Sequence, residues 1–190
     1  MAAQQTMPEE VDDFAKQEIR LAAVLNGGVS LAVWMSGVTL EMHHLAMASQ
    51  GLGTWPTYRA ALDKLAATAR VDVIAGTSAG GLNGVFLALG LARRRDFALL
   101  RDLWAEHGAL EKLLRKPLAK NPPSALSGDE YFLVTIKNAL TEMMGDENPD
   151  LDSSTTKQVM PPVELILTGT LWSGRQSRFT DDMGVGITER

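Results

Sequence analysis

A short apolar run, "VDVIA" (Val71–Ala75), leads into "GTSAGG" (Gly76–Gly81) and then into the longer run "LNGVFLALGLA". Few architectures accept that succession. A run of about five residues suits a buried strand, and one of more than ten suits a buried helix. The glycines between them mark a tight turn, so the strand hands over directly to the helix. A similar hand-over comes earlier: "RLAAVLN" (Arg20–Asn26) ends at Gly27 and Gly28, ahead of a helix-like segment from about Val33 to Ser49. Short buried strands alternating with helices predict an α/β layered fold with a mostly parallel central sheet.

The remaining segments fit that pattern. Residues 1–18 read as a polar, acidic lead-in, and 19–190 as the α/β domain. "WPTYRAALDKLAATAR" reads as a helix with proline in its first turn. Arg93, Arg94 and Arg95 suit a solvated helix C-terminus, where cations favour the helix dipole. Phe97 to Arg115 has leucines at helical spacing, and Ser127 with Glu130 has the spacing of a capping box before a helix ending at Met144. "GDENPDLDSSTTKQVMPP" reads as a mobile polar connector, "VELILTGT" as a strand, and "SGRQSRFTDDMG" as a turn followed by an extended piece.

The bulk properties narrow the function. The chain has 190 residues, 45% hydrophobic and 22% charged, enough for one domain with a substantial core. A net charge of −5 without a dense basic stripe argues against a nucleic-acid partner. No cysteine is present, which removes disulfides and thiolate metal sites. No grouping of histidines with carboxylates is visible along the chain, so neither a metal nor another cofactor is expected. The N-terminus lacks the pattern of a secretory signal, and no apolar stretch is long enough to span a bilayer. The expectation is a cytoplasmic protein, with peripheral membrane contact through Trp34, Met35, Met42 and Met47 as an added hypothesis. Such residues on a helix more often belong to the core.

Gly76-Thr-Ser-Ala-Gly80 fits the G-x-S-x-G nucleophile elbow, in which Ser78 stands at the apex of a strained strand-to-helix turn. Side chains two positions away on either side would collide there, hence glycine at both Gly76 and Gly80. The bland reading makes Ser78 an N-cap of the following helix. A phosphate-binding loop is a poorer rival, because no lysine follows these glycines. Acyl transfer also needs amide donors for an oxyanion, and Gly27 and Gly28 follow the first strand directly, where paired glycines let backbone N–H groups face a cleft. The base is harder to find. His107 alone follows Ser78, inside a helical segment, while His43 and His44 precede it on a helix and read as surface or half-buried residues. A histidine triad in the hydrolase order is therefore not supported.

These residues resemble the patatin-like phospholipases, in the stretch "LNGGVSLAVWMSGVTLE", in the elbow "GTSAGG" and in "PPVELILTGTLWSGRQSRF". The resemblance covers about residues 20–180. It implies a three-layer α/β fold and a serine–aspartate dyad acting on a lipid or other acyl ester. It makes Ser78 the nucleophile and Gly27, Gly28 and the Val29 amide the oxyanion loop. Two departures stand in that loop: Val29 replaces a third glycine, and Leu31 replaces a basic residue. The family's D-G-G or D-G-A motif is absent; Asp181 and Asp182 in "TDDMG" come too early, and Asp72, Asp96, Asp102 and Asp129 have weaker claims. The expectation is a domain incomplete on its C-terminal side, with the dyad aspartate beyond this chain. The alternative is a degenerate or truncated module that binds a partner or a membrane surface without catalysis.

Overall fold

A computed structural model describes residues 16–116, 124–145, 161–170, 177–180 and 182–189. The chain runs β1 (Gln17–Leu25), α1 (Val29–Ser49), α2 (Pro56–Lys64), β2 (Ala67–Thr77), α3 (Ala79–Arg93), α4 (Leu99–Asp102), α5 (Leu110–Leu113), α6 (Leu133–Met144), β3 (Glu164–Thr168), β4 (Ser177–Thr180) and β5 (Gly186–Glu189). The first three strands form a parallel sheet in the order β1-β2-β3, and β4 pairs with β5 as an antiparallel hairpin. The predicted α/β architecture is present: a parallel sheet flanked by helices.

One face of β1 and β2 builds the core. Ala23, Leu25, Val71 and Ile74 pack with Ala32, Met35 and Met47 of α1 and with Phe86, Leu87 and Leu91 of α3. Burying a large apolar side chain contributes about 1.5–3 kcal/mol. Phe86, Leu87 and Ile74, all fully buried, are therefore main anchors of the α3–sheet interface. Phe97, Leu100, Leu103 and Trp104, together with Ala139 and Met143 of α6, extend the same core. On the other face of the strands Arg20 pairs with Asp72, and Arg70 pairs with Asp72 and Glu18.

The elements differ from their expected bounds for identifiable reasons. The first helix begins at Val29, one turn early, because the chain turns up at Gly28 (φ 129°) straight after the strand. The second helix ends at Lys64; residues 67–70 of the expected helix belong to β2, where they pair with Gln17–Arg20. The partner strand overrides a helical reading that local propensity favoured. The segment 97–115 is not one helix. A π-helical turn at Leu103–His107 and the extended backbone of Ala109 divide it into short pieces. Ser127 makes no capping bond, and Glu130 pairs instead with Arg115, as does Asp129. The connector 146–160 lies outside the described residues.

The arginine run ends α3 as expected for Arg93, but Arg95 reaches across to donate to the Glu142 carbonyl at 3.1 Å, tying α3 to α6. Of the α1 residues considered for lipid contact, Met35 and Met47 are core, Met42 is half-buried, and Trp34 is 68% exposed. No helix among the described residues is long and apolar enough to cross a membrane.

Candidate functional site

The carboxyl ends of β1 and β2 lie side by side, and each strand gives way at once to a helix. In open parallel sheets this edge is where ligands bind. Ser78 is the single residue between β2 and α3, at φ 52° and ψ −128°. A positive φ in a residue other than glycine costs on the order of 1–3 kcal/mol and persists only when neighbours enforce it. Ser78 holds the N-cap position, but its hydroxyl makes no capping bond to α3.

The enforcing neighbours are the first turn of α3 and the ends of the two strands. A Cβ on Gly76 would lie 2.7 Å from the Gly80 carbonyl oxygen and from Gly81 Cα. A Cβ on Gly80 would overlap the Leu25 carbonyl at the end of β1. Both elbow glycines are thus required by backbone-to-backbone approach. The first glycine of the other loop meets the serine itself: a Cβ on Gly27 would stand 2.7 Å from Ser78 Cβ and 3.4 Å from Oγ. Gly28 takes φ 129°, and Val29 opens α1 as an exposed residue. Two sequence-distant loops therefore meet at one point.

Neither α1 nor α3 has a side-chain N-cap or an acidic residue in its first turn. Their leading N–H groups and the positive ends of both helix dipoles favour negative charge at this edge. Asn83, fully buried, holds the two first turns together. Its Nδ2 donates to the Ala79 carbonyl at 3.0 Å and, more weakly, to the Ala32 carbonyl at 3.4 Å. The sequence reading missed Asn83. The signal was there: one amide inside the apolar run "GLNGVF".

Among the described residues, none of the aspartates weighed from the sequence is placed at the serine. Asp72 pairs with Arg20 and Arg70, Asp102 with Arg101, and Asp129 with Arg115. Asp96 faces His44. Asp182 is an exposed residue in the β4–β5 turn, and Asp181 lies outside the described residues. The histidines also lie elsewhere. His43 is fourteen residues into α1, about 21 Å along its axis, and His107 Nδ1 bonds the Tyr131 hydroxyl at 2.7 Å. Contrary to expectation, His43 is 1% exposed, and burial pushes its pKa down from 6.5 to about 4.

The packing separates glycines needed by the site from those that are not. Gly80→Ala is expected to lower unfolding stability by more than about 2 kcal/mol through backbone overlap. Gly37→Ala, with nothing within 4 Å of its Cβ, is expected to raise it by about 0.5–1 kcal/mol. Urea denaturation of the two variants checks both signs.

Comparison with known proteins identifies the family. A family profile for patatin-like phospholipases matches residues 23–182. An uncharacterized membrane protein of Mycobacterium tuberculosis is 39% identical over 190 residues, a match covering 91% of this chain and 18% of that protein. The chain thus spans less than a fifth of that relative. No solved structure matches. With the profile covering most of the chain, including both loops at the sheet edge, the chain belongs to the patatin-like phospholipase family.

Proposed function

We propose that the chain carries the nucleophile and oxyanion loop of a serine-dependent lipid acyl hydrolase. The observation that carries this reading is Ser78 at φ 52° with the Gly27 backbone against it. Family membership supports hydrolysis as the reaction class, and we take a lipid ester as its substrate. In the proposed mechanism Ser78 Oγ attacks the ester carbonyl carbon. The carbonyl oxygen becomes an oxyanion held by amides of Gly27, Gly28 and Val29, with that of Ala79. The C–O bond to the alcohol breaks as the alcohol takes a proton, leaving an acyl-serine. Water, giving a proton to the same base, then attacks the acyl carbon; the acyl C–Oγ bond breaks, the fatty acid leaves, and Ser78 Oγ takes the proton back. An aspartate other than Asp72, Asp96, Asp102 and Asp129 accepts the serine proton in this scheme, since each of those four is engaged elsewhere.

The substrate would arrive from a lipid surface. Val29, Leu31 and Trp34 are exposed on the first turns of α1, beside the serine loop. Trp34 continues into a shallow apolar groove of about 480 Å³ that Val38, Met42, Leu45 and Tyr58 also line. This rim would contact a membrane peripherally, without a spanning helix.

Activated aryl esters have a leaving group that needs no protonation, so they depend least on the general acid. The folded chain is expected to hydrolyse a p-nitrophenyl acyl ester, and Ser78→Ala to lower kcat by at least about 10³-fold. A folded chain without turnover would favour a non-catalytic binding module. Trp34→Ser is expected to weaken co-sedimentation with phospholipid vesicles about 10-fold; unchanged sedimentation would contradict the membrane rim.

A further inference from the structure

A second cluster of reactive side chains lies far along α1 from the serine. His43 and His44 are adjacent in sequence, which on a helix turns their side chains about 100° apart. The turn after α3 nevertheless brings Asp96 to both. His44 Nε2 and Asp96 Oδ2 are 3.0 Å apart, and ligand-capable atoms of His43, His44 and Asp96 all lie within 4.8 Å of one another.

His43 is the anomaly in this group. Neither of its ring nitrogens makes a hydrogen bond of normal geometry, the nearby Gly90 carbonyl included, although the ring is 1% exposed. A buried polar group without a partner costs about 1–3 kcal/mol, so such groups call for an explanation. Phe97 and Trp55 enclose the ring edge-on, at centroid distances of 5.3 and 6.2 Å, and offer it no acceptor.

We propose that His43, His44 and Asp96 form a binding site for a divalent cation of zinc type. Two imidazoles and one carboxylate, with a fourth position left for water, suit borderline metals and not calcium or magnesium, which take oxygen ligands. Tetrahedral zinc places its ligand atoms about 3.4 Å apart, so the widest separation in a group that spans up to 4.8 Å must close by up to about 1.4 Å. The Asp96 side chain is 47% exposed, which gives the cation an entry path, and its Oδ1 accepts the Ala98 N–H at 2.7 Å while Oδ2 faces the histidines.

The surroundings match what a ligating histidine requires. Trp55 stacks on the His44 ring at 4.5 Å and fixes its plane. Glu41 Oε1 lies 3.6 Å from His44 Nδ1, the nitrogen turned away from Asp96, while Glu41 Oε2 accepts the Tyr58 hydroxyl at 2.5 Å. A carboxylate behind a histidine, once within hydrogen-bond distance of the ring nitrogen, orients the ring and raises its basicity toward metal. Occupancy would clamp the C-terminal half of α1 to the turn after α3, independently of chemistry at Ser78.

Untagged chain, stripped with a chelator and dialysed, is titrated with Co²⁺ by visible absorption and with Zn²⁺ by calorimetry. The expected result is one saturable equivalent per chain, with tetrahedral cobalt bands that zinc displaces. His43→Phe and Asp96→Asn are each expected to weaken binding at least 10-fold, Glu41→Gln about 10-fold, and Ser78→Ala not at all. Asp96→Asn changes an exposed side chain, which keeps the test readable if His43→Phe does not fold. Absence of a saturable equivalent in the folded chain, or binding that survives Asp96→Asn, overturns the proposal.

Discussion

The first turn of α3 lies so close to the carboxyl ends of β1 and β2 that no side chain fits between them. Gly80 meets the Leu25 carbonyl, and Gly76 meets Gly80 and Gly81. Because α3 starts there, the residue joining it to β2 has no room for an ordinary backbone conformation, and Ser78 takes φ 52°. The strain is stabilised by the buried contacts of Ile74, Phe86 and Leu87 further along, which fix where α3 sits on the sheet. Apolar burial remote from the serine therefore holds it in place.

The same constraint explains the second loop. With the end of β1 against α3, the chain leaving β1 passes beside Ser78, and only a glycine at position 27 avoids the serine Cβ. Gly28 then turns the chain into α1, whose first N–H groups face the same edge as those of α3. Asn83 joins the two first turns through Ala79 and Ala32. A site for negative charge arises from backbone alone, without a basic side chain. That is consistent with Leu31 standing where the family carries a cation. Helix α1 has a separate role at its other end, where the histidine pair meets Asp96.

Much of this was legible in the sequence because steric demands leave residue-level marks. Glycines flanking a serine between a short and a long apolar run specified strand, tight turn and helix, and the structure has all three. What escaped depends on partners distant in sequence. Residues 67–70 look helical in isolation and become strand because Gln17–Arg20 lie beside them. The segment after Phe97 has helical leucine spacing, yet it breaks into short turns as Leu100, Leu103 and Trp104 each seek the core. The His43, His44 and Asp96 group escaped for the same reason: adjacent helix positions diverge, and only the chain's return after α3 supplies Asp96. The expectation that no histidines and carboxylates cluster was wrong on that count.

The central claim is that the backbone holds Ser78 as a nucleophile opposite an oxyanion loop. Fluorophosphonate labelling of the folded chain, read by intact mass and peptide mapping, tests it most directly. A single adduct on Ser78, absent from Ser78→Ala and slowed when Gly27→Ala crowds the loop, is the predicted result. A folded chain that stays unlabelled, or one labelled equally at other serines, would contradict it.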